Sequence, residues 1–503
     1  MRGDGLSRPA RWRIVSLVIV HLLIAVHVIH WRLAGTSLSS IQLSDAGRFA
    51  SEGVATAALF LFAFLLLVTL VFGRFFCAWA CHMLALQEAC RWVLGKFGVR
   101  PKLMPSRLLW IVPFATAFYA FILPFVERLW LGAPFPAPQL ALTSSHLWAN
   151  LPGPIEAVAA VLVGGVTMVY LLGALSFCKY VCPYGAVFAV ADTLALGRIR
   201  LTGDCDACAR CTAACTTGVR VHEEVLRLGM VANSGCMRCF ECVSACPHDA
   251  LAYRLGRPAL IAGSRAGLTR YAFSWPEESV LVGLFGVSFV ALHGVYNVVP
   301  LLLALAASAV IAYLGVLATR IVAAPGSVRL RGTVLKRAGS WSPAGGMVVV
   351  CTLVALVLVG HSALVQYHDW RANAALGELG FPQVRASYQK AEAALARSAA
   401  GHLDFCSRYG LVDTPDWNMK LAWLFRALEP QRVEGYLRRV IALDPGQAAA
   451  HFNLGKELAR QGRGTEAAES FREAVRLTPS LARFVPVRAL RPEEFAGARP
   501  QDG

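Results

Sequence analysis

Seven nearly unbroken apolar stretches constrain this chain more tightly than any other feature. They run over residues 13–31, 54–72, 108–126, 155–177, 279–296, 300–322 and 347–367. Crossing a bilayer takes about 20 apolar residues at a rise of about 1.5 Å each. Lipid offers no partner for backbone polar groups, so such stretches are predicted to be helices, whose hydrogen bonds are internal. Composition agrees, since 56% of the 503 residues are hydrophobic and only 16% charged, where soluble domains carry roughly 25% charge. A mean hydropathy of +0.53 excludes a disordered chain and an ordinary cytosolic enzyme. The fifth and sixth stretches together are too long for one span, and Tyr296, Asn297 and Pro300 stand where a helical hairpin would turn. The first stretch follows Arg8, Arg11 and Arg13 as a signal peptide would. It exceeds the roughly 7–15 apolar residues of a signal sequence, however, and holds His21, His27 and His30, so it is read as a span.

Lys and Arg favour the cytoplasmic side of a membrane. The loops before residue 14 and over 74–107, 179–270 and 320–337 hold 26 basic residues, against 3 in the alternate loops. The N-terminus is therefore expected in the cytoplasm, and everything after Tyr367 outside. Topology accounts for most of the net charge of +17, so no nucleic-acid partner is invoked.

Between the fourth and fifth stretches lie eight cysteines in two matching sets: Cys205, Cys208, Cys211 and Cys215, then Cys236, Cys239, Cys242 and Cys246 followed by Pro247. In bacterial ferredoxins this spacing gives three thiolates to one 4Fe-4S cluster while the fourth crosses to the other. Cluster one is predicted to take Cys205, Cys208, Cys211 and Cys246, and cluster two Cys236, Cys239, Cys242 and Cys215. Zinc sites seldom need the doubled rhythm, and a reducing cytoplasm disfavours disulfides. Thr216 stands where the first set lacks the usual proline.

A second pattern repeats at the inner ends of two stretches. Phe76-Cys77-Ala78-Trp79-Ala80-Cys81-His82 matches Phe177-Cys178-Lys179-Tyr180-Val181-Cys182-Pro183, with Ala85 and Ala186 in register, as an internal duplication would give. Cysteines four apart share one face of a helix. If the two segments pack together, Cys77, Cys81, Cys178 and Cys182 form a third metal centre; otherwise they are small buried apolar residues. His82, in the place of Pro183, is either a ligand or a helix-compatible substitute. Cys90, Cys351 and Cys406 are isolated and read as structural.

Together these motifs, over about residues 54–253, resemble the membrane polyferredoxin family. That family includes the quinol-dehydrogenase subunit of periplasmic nitrate reductase, the membrane electron donor and regulator of nitrous-oxide reductase, the methylamine-utilisation ferredoxin and the copper-handling accessory protein of cbb3-type oxidase. The resemblance implies a multi-pass protein of the bacterial inner membrane that passes electrons among the quinone pool, cytoplasmic clusters and a periplasmic acceptor. Family members carry proline after both CxxxC elements, and His82 departs from that pattern.

Ionisable residues inside spans are functional candidates. His27, His293 and His361 each fall fourteen residues into their stretches. Such a layer either binds a b-type haem or a quinone headgroup, or consists of separate helix-packing histidines. No CxxCH, GxGxxG or phosphate-loop motif occurs, which argues against a c-type cytochrome, a nicotinamide enzyme and an ATP-driven pump.

After Tyr367 the sequence becomes soluble and helix-friendly, with 19 basic and 16 acidic residues. Leu454, Gly455, Leu458, Ala467, Phe471, Ala474 and Pro479 match the tetratricopeptide pattern, and Trp417 and Pro445 mark a degenerate repeat before it. A helix over about 384–399 is predicted to extend the array, whose concave face suits a protein partner. Residues 491–503, rich in Pro, Gly and charge, are expected to be disordered.

The predicted architecture is thus a polytopic α-helical membrane protein of about seven spans, with an inserted α+β two-cluster ferredoxin domain and a C-terminal all-α tetratricopeptide-like domain. Its segments are a membrane domain over 1–177, the second CxxxC element and ferredoxin over 178–278, a membrane domain over 279–367, a periplasmic helical domain over 368–490 and the tail. The expected function is electron exchange between quinone, or a cytoplasmic donor, and a redox partner. The competing reading is a maturation or copper-reducing factor for a periplasmic or membrane metalloenzyme, since soft thiolates suit Cu(I). A redox sensor is a third reading, for which the sequence offers no output domain.

Overall fold

The computed structural model describes residues 7–39, 43–99, 101–132, 134–144, 154–262, 271–297, 299–337, 339–380 and 389–485. The expected tail over 491–503 lies outside them. The chain divides into two compact units, one of residues 1–289 and 301–355, the other of 290–300 and 356–503.

Among the described residues five helices are long and apolar enough to cross a membrane: α1 (Arg8–Ala34), α5 (Leu109–Leu131), α12 (Trp275–Leu292), α13 (Leu301–Ala323) and α14 (Pro343–Glu378). Helix α1 starts where the Ser7 hydroxyl accepts from the Ala10 N–H and ends at Gly35 in the left-handed conformation. Only Arg13 and Leu17 of α1 are buried, which leaves an apolar surface suited to lipid.

The second and fourth predicted spans form shorter helices, α2 (Ala57–Phe72) and α6 (Ala157–Leu172). Sixteen residues extend about 24 Å, short of a hydrocarbon core of about 30 Å. Residues Val54–Thr56, counted into the second span from sequence, instead form a strand parallel to Gln139–Ala141. The fourth stretch stops at Gly173, so Phe177 belongs to the next helix. The expected hairpin turn is present: α12 ends at Leu292, Tyr296 takes a positive φ of 59°, and α13 begins at Leu301.

In the first unit, α5, α6, α12 and α13 bury Leu109, Met168, Leu172, Phe285, Leu305 and Tyr313 together. Two CxxxC segments follow one plan. Helices α2 and α6 each end at a glycine, Gly73 (φ 79°, ψ −173°) and Gly173 (φ 106°, ψ 171°), in a region of backbone space open essentially to glycine alone. A short helix follows in each, α3 (Phe75–Trp79) or α7 (Ser176–Tyr180), and then a longer one, α4 (His82–Lys96) or α8 (Pro183–Leu194). The ferredoxin-like part pairs β1 (Gly197–Leu201) antiparallel with β2 (Leu251–Leu255), Gly197 opposite Leu255. Between these strands lie α9 (Arg210–Ala214), α10 (Val221–Leu228) and α11 (Glu241–Ser244).

In the second unit, α15 (Lys390–Tyr409), α16 (Pro415–Leu428), α17 (Val433–Leu443), α18 (Ala448–Arg460) and α19 (Gly464–Leu477) each pack on the helix before. The helix expected over 384–399 begins at Lys390, and residues 384–388 lie outside the described residues. Gly455 lies so close to α19 that an added Cβ would stand 2.9 Å from the Phe471 ring. Helix α14 continues past Tyr367 to Glu378, and its residues from Leu356 onward belong to the second unit.

Candidate metal centres

Each CxxCxxC run must turn so that three side chains face one point. The backbone achieves this with four non-glycine residues at positive φ, Ala207 (59°), Ala209 (57°), Arg238 (57°) and Phe240 (62°). They fall at equal offsets from Cys205 and Cys236, so the two loops share one conformation. Left-handed backbone costs a non-glycine residue about 1–2 kcal/mol, and strain of this kind persists where a ligand site needs it.

The loops line two cavities. Cys205, Cys208, Cys211 and Cys246 line the first, together with Asp206, His222 and His248. Cys236, Cys239, Cys242 and Cys215 line the second, with Ile199, Val219, Val221 and Arg238. This is the crossed grouping expected from the spacing. The first lies nearer solvent: Cys208 is exposed, and on the rim the His248 ring pairs with Asp206 at 3.0 Å. In the second, burial, with Cys236 adding to it, pushes the Cys239 thiol up to about 12. Burial likewise raises Cys242, with Cys236 and Cys239 adding to it.

Glu224 fixes the turn before Cys236. Its buried carboxylate accepts from the N–H groups of Ala232 at 2.8 Å and Asn233 at 2.9 Å. Asn233 in turn accepts from the Gly235 N–H, one residue before Cys236.

The two CxxxC segments also converge. Cys77 and Cys178 sit on α3 and α7, while Cys81 and Cys182 cap α4 and α8. Cys178 and Cys182 each lie within electrostatic reach of both Cys77 and Cys81. Cys77, Cys81 and Cys178 share an apolar cluster with Leu17, Leu84, Leu175 and Met237. Burial, with neighbouring thiols adding to it, pushes Cys81 up to about 11 and Cys182 up to about 12. Metal ligation is the change that makes buried thiolates favourable. His82 occupies the first position of α4, as Pro183 does in α8.

Among the described residues no three His, Cys, Asp or Glu side chains lie close enough to share one metal ion.

The three candidate histidines are divided between the two units. His27 belongs to the first unit, where its Nδ1 pairs with the Ser37 hydroxyl at 3.2 Å. His361 and His293 belong to the second. His361 Nε2 donates to the Tyr409 carbonyl at 3.0 Å, and the His293 carbonyl accepts from Gln366 at 2.6 Å. Cys90 and Cys406 are buried, and Cys351 is exposed on α14. Sequence reasoning missed Arg74, Arg198 and Arg238, which converge on Asp192 beside the cysteines.

A family model described as a 4Fe-4S binding domain matches residues 54–100 and 156–201, the two CxxxC segments. Two uncharacterised proteins of Methanocaldococcus jannaschii are similar to this chain. One is 23% identical over 38% of this chain and 75% of its own length, the other 29% identical over 19% and 41%. YccM of Escherichia coli K12, named as a candidate electron transport protein, is 25% identical over 41% of this chain and 58% of its own. No solved structure matches. The chain thus carries a 4Fe-4S binding domain beside helices apolar enough to span a membrane, and its relatives support an iron–sulfur electron-transfer role.

Proposed function

We propose that the protein is a membrane-bound electron conduit, exchanging electrons between the quinone pool, or a cytoplasmic donor, and a redox partner. The observation that carries this reading is the division of eight cysteines between two cavities in crossed order. Cys205, Cys208, Cys211 and Cys246 would hold one 4Fe-4S cluster, and Cys236, Cys239, Cys242 and Cys215 another. Cys77, Cys81, Cys178 and Cys182 would hold a third centre, in the segments that match the 4Fe-4S family model. When bound, such clusters supply reversible one-electron storage. The chain's own part is to fix the thiolates, exclude water with Ile199, Val219 and Val221 around the second cavity, and leave the first nearer solvent.

The basic-residue asymmetry supports a bacterial inner membrane with the N-terminus and ferredoxin-like part cytoplasmic and the C-terminal helices periplasmic. The stacked hairpins α16–α17 and α18–α19 support a tetratricopeptide-like docking surface for a protein partner. Cross-linking of the full chain in membranes should then place that partner on residues 415–477; cross-links confined to other regions count against it.

The deciding experiment is anaerobic purification with iron, acid-labile sulfide and copper quantified, and EPR spectra recorded as isolated, after a quinol and after dithionite. Quinol-reducible clusters support the conduit with the quinone pool as donor. Reduction by dithionite alone points to a cytoplasmic donor. Stoichiometric copper without iron at the CxxxC cysteines favours the metal-handling alternative.

A further inference from the structure

Asp192 on α8 is fully buried and gathers three arginines. Its Oδ1 pairs with Arg238 Nη2 at 2.7 Å and accepts from the Arg74 backbone N–H at 3.2 Å. Its Oδ2 pairs with Arg198 Nη2 at 3.4 Å. Arg74, Arg198 and Arg238 are 5%, 0% and 1% exposed; the Arg198 and Arg238 guanidiniums pair with this carboxylate out of water, and that of Arg74 lies within its electrostatic reach.

The two ends of this cluster reach different cysteine sites. Arg238 lies between Cys236 and Cys239, lines the second cavity and donates to the Cys236 carbonyl at 2.6 Å. The Arg74 guanidinium stands 4.0 Å from Cys77 Sγ and donates to the Ser234 carbonyl at 2.8 Å. Its Nε is buried without a hydrogen-bond partner. Trp79, between Cys77 and Cys81, donates from its indole to the Arg238 carbonyl at 3.1 Å. Gly73 lets the chain pass: a Cβ there would stand 2.6 Å from the Arg238 guanidinium.

Buried charge is costly unless opposite charge compensates it. Asp192 carries one negative charge between Arg74 and Arg238, while Cys77 and Cys178 lie within electrostatic reach of Arg74 and Cys236 within reach of Arg238. An iron–sulfur core held by four thiolates bears net negative charge, and reduction makes it more negative. We propose that Arg74, Asp192 and Arg238 form a buried ion bridge between the CxxxC site and the second ferredoxin cavity that sets the potential at which both accept an electron. This rests on reading those cysteines as cluster ligands. Arg74 and Arg238 are positioning residues that stabilise the reduced form, and Asp192 holds them in place while opposing them in charge.

The test is EPR-monitored redox titration of the full-length holoprotein carrying Arg74→Gln, Arg238→Gln or Asp192→Asn, after iron and sulfide are counted. Signals are assigned with Cys81→Ser and Cys239→Ser. Arg74→Gln should reduce the equilibrium constant for reducing the CxxxC centre at least tenfold, a shift of −59 mV for one electron, and Arg238→Gln should do so at the second ferredoxin centre. Asp192→Asn should shift both upward. Unchanged potentials, or shifts of one sign in all three variants at full iron content, overturn the bridge. If a glutamine variant loses iron, the charge-keeping Arg74→Lys and Arg238→Lys decide: retained iron with potentials within threefold of wild type in equilibrium constant supports it, and loss of iron there overturns it. Wild-type protein without iron at the CxxxC cysteines refutes that site instead, and the bridge is then judged at the second cavity alone.

Discussion

Replacing Glu224 by alanine should loosen the second ferredoxin cavity without touching a cysteine. Glu224 Oε2 is the acceptor for two backbone N–H groups, of Ala232 and Asn233, and it is only 2% exposed. Alanine leaves the buried Ala232 donor and the part-buried Asn233 donor unsatisfied, at up to about 1–3 kcal/mol each. The expected destabilisation of the turn before Cys236 is therefore roughly 2–6 kcal/mol, with about 4 as the central value. At about 1.4 kcal/mol per factor of ten, 4 kcal/mol raises the population of the opened turn several-hundredfold. If iron leaves the second cavity through that opening, its loss to an anaerobic chelator should accelerate by a similar factor, while the first cavity is unaffected. Glu224→Gln keeps one oxygen in place as acceptor and loses only charge assistance, so it should cost about 1 kcal/mol. The assay is the time course of iron release followed by the cluster EPR signals. Equal behaviour of the alanine and glutamine variants, or release from both cavities alike, would refute the reasoning.

Three further outcomes are expected. Cys246→Ser should deplete the cluster of the first cavity and Cys215→Ser that of the second, as counted by iron and EPR; the reverse assignment would contradict the crossed grouping. Gly173→Ala should destabilise the membrane unit by about 3–5 kcal/mol in denaturant unfolding, because its φ is 106° and an added Cβ would stand 2.3 Å from the Lys102 carbonyl. Gly73→Ala should cost less, since the atoms it meets belong to the Arg238 side chain. Glu434 is held below the usual carboxylate range by Arg438, with Arg463 beside it. A depressed folded value means that its stabilising contribution is present above the unfolded pKa of about 4.3. That contribution is lost as pH falls through the folded value. The helical unit should accordingly melt at lower temperature below about pH 4, and Glu434→Gln should flatten that part of the profile.

The cysteine grouping was legible because spacing alone encodes it: a three-residue turn brings Cys205, Cys208 and Cys211 to one point, and the chain between sets returns Cys246 to them. The CxxxC duplication was legible for the same reason. What spacing hides is where an apolar run stops being a helix. Val54–Thr56 and Ala174–Leu175 are as apolar as the spans they adjoin, so hydropathy runs through a strand and through a glycine break without registering either. At the other end, α14 runs as one helix from Pro343 to Glu378, so the change of composition at Tyr367 is not a helix end. Equal depth of His27, His293 and His361 is a one-dimensional measure, silent about the Ser37 and Tyr409 groups that two of them bond. Arg74 was counted as topological charge, since an arginine at the inner end of a span carries that meaning by default. Its link to Asp192 depends on contacts between distant segments.

The departure at His82 loses its force once the backbone is compared. Cys81 (φ −83°, ψ 120°) and Cys182 (φ −70°, ψ 110°) take the same extended conformation before their helices. Proline suits the first helical position because that N–H has no intrahelical partner, so another residue there changes no hydrogen bond. Each copy thus delivers one thiol from a short helix and one from a helix N-terminus, where backbone N–H groups favour a thiolate; Cys182 Sγ accepts from the Gly185 N–H at 3.3 Å. Two thiols from one copy are too few for a four-ligand centre, and burial opposes leaving them ionised without a metal. The family match divides along the same two segments, so on the proposed reading the duplicated unit is half a site. On the proposed reading, docking of the two halves and loading of the centre are one cooperative step, because binding free energy at a site absent from the unfolded chain is also folding free energy.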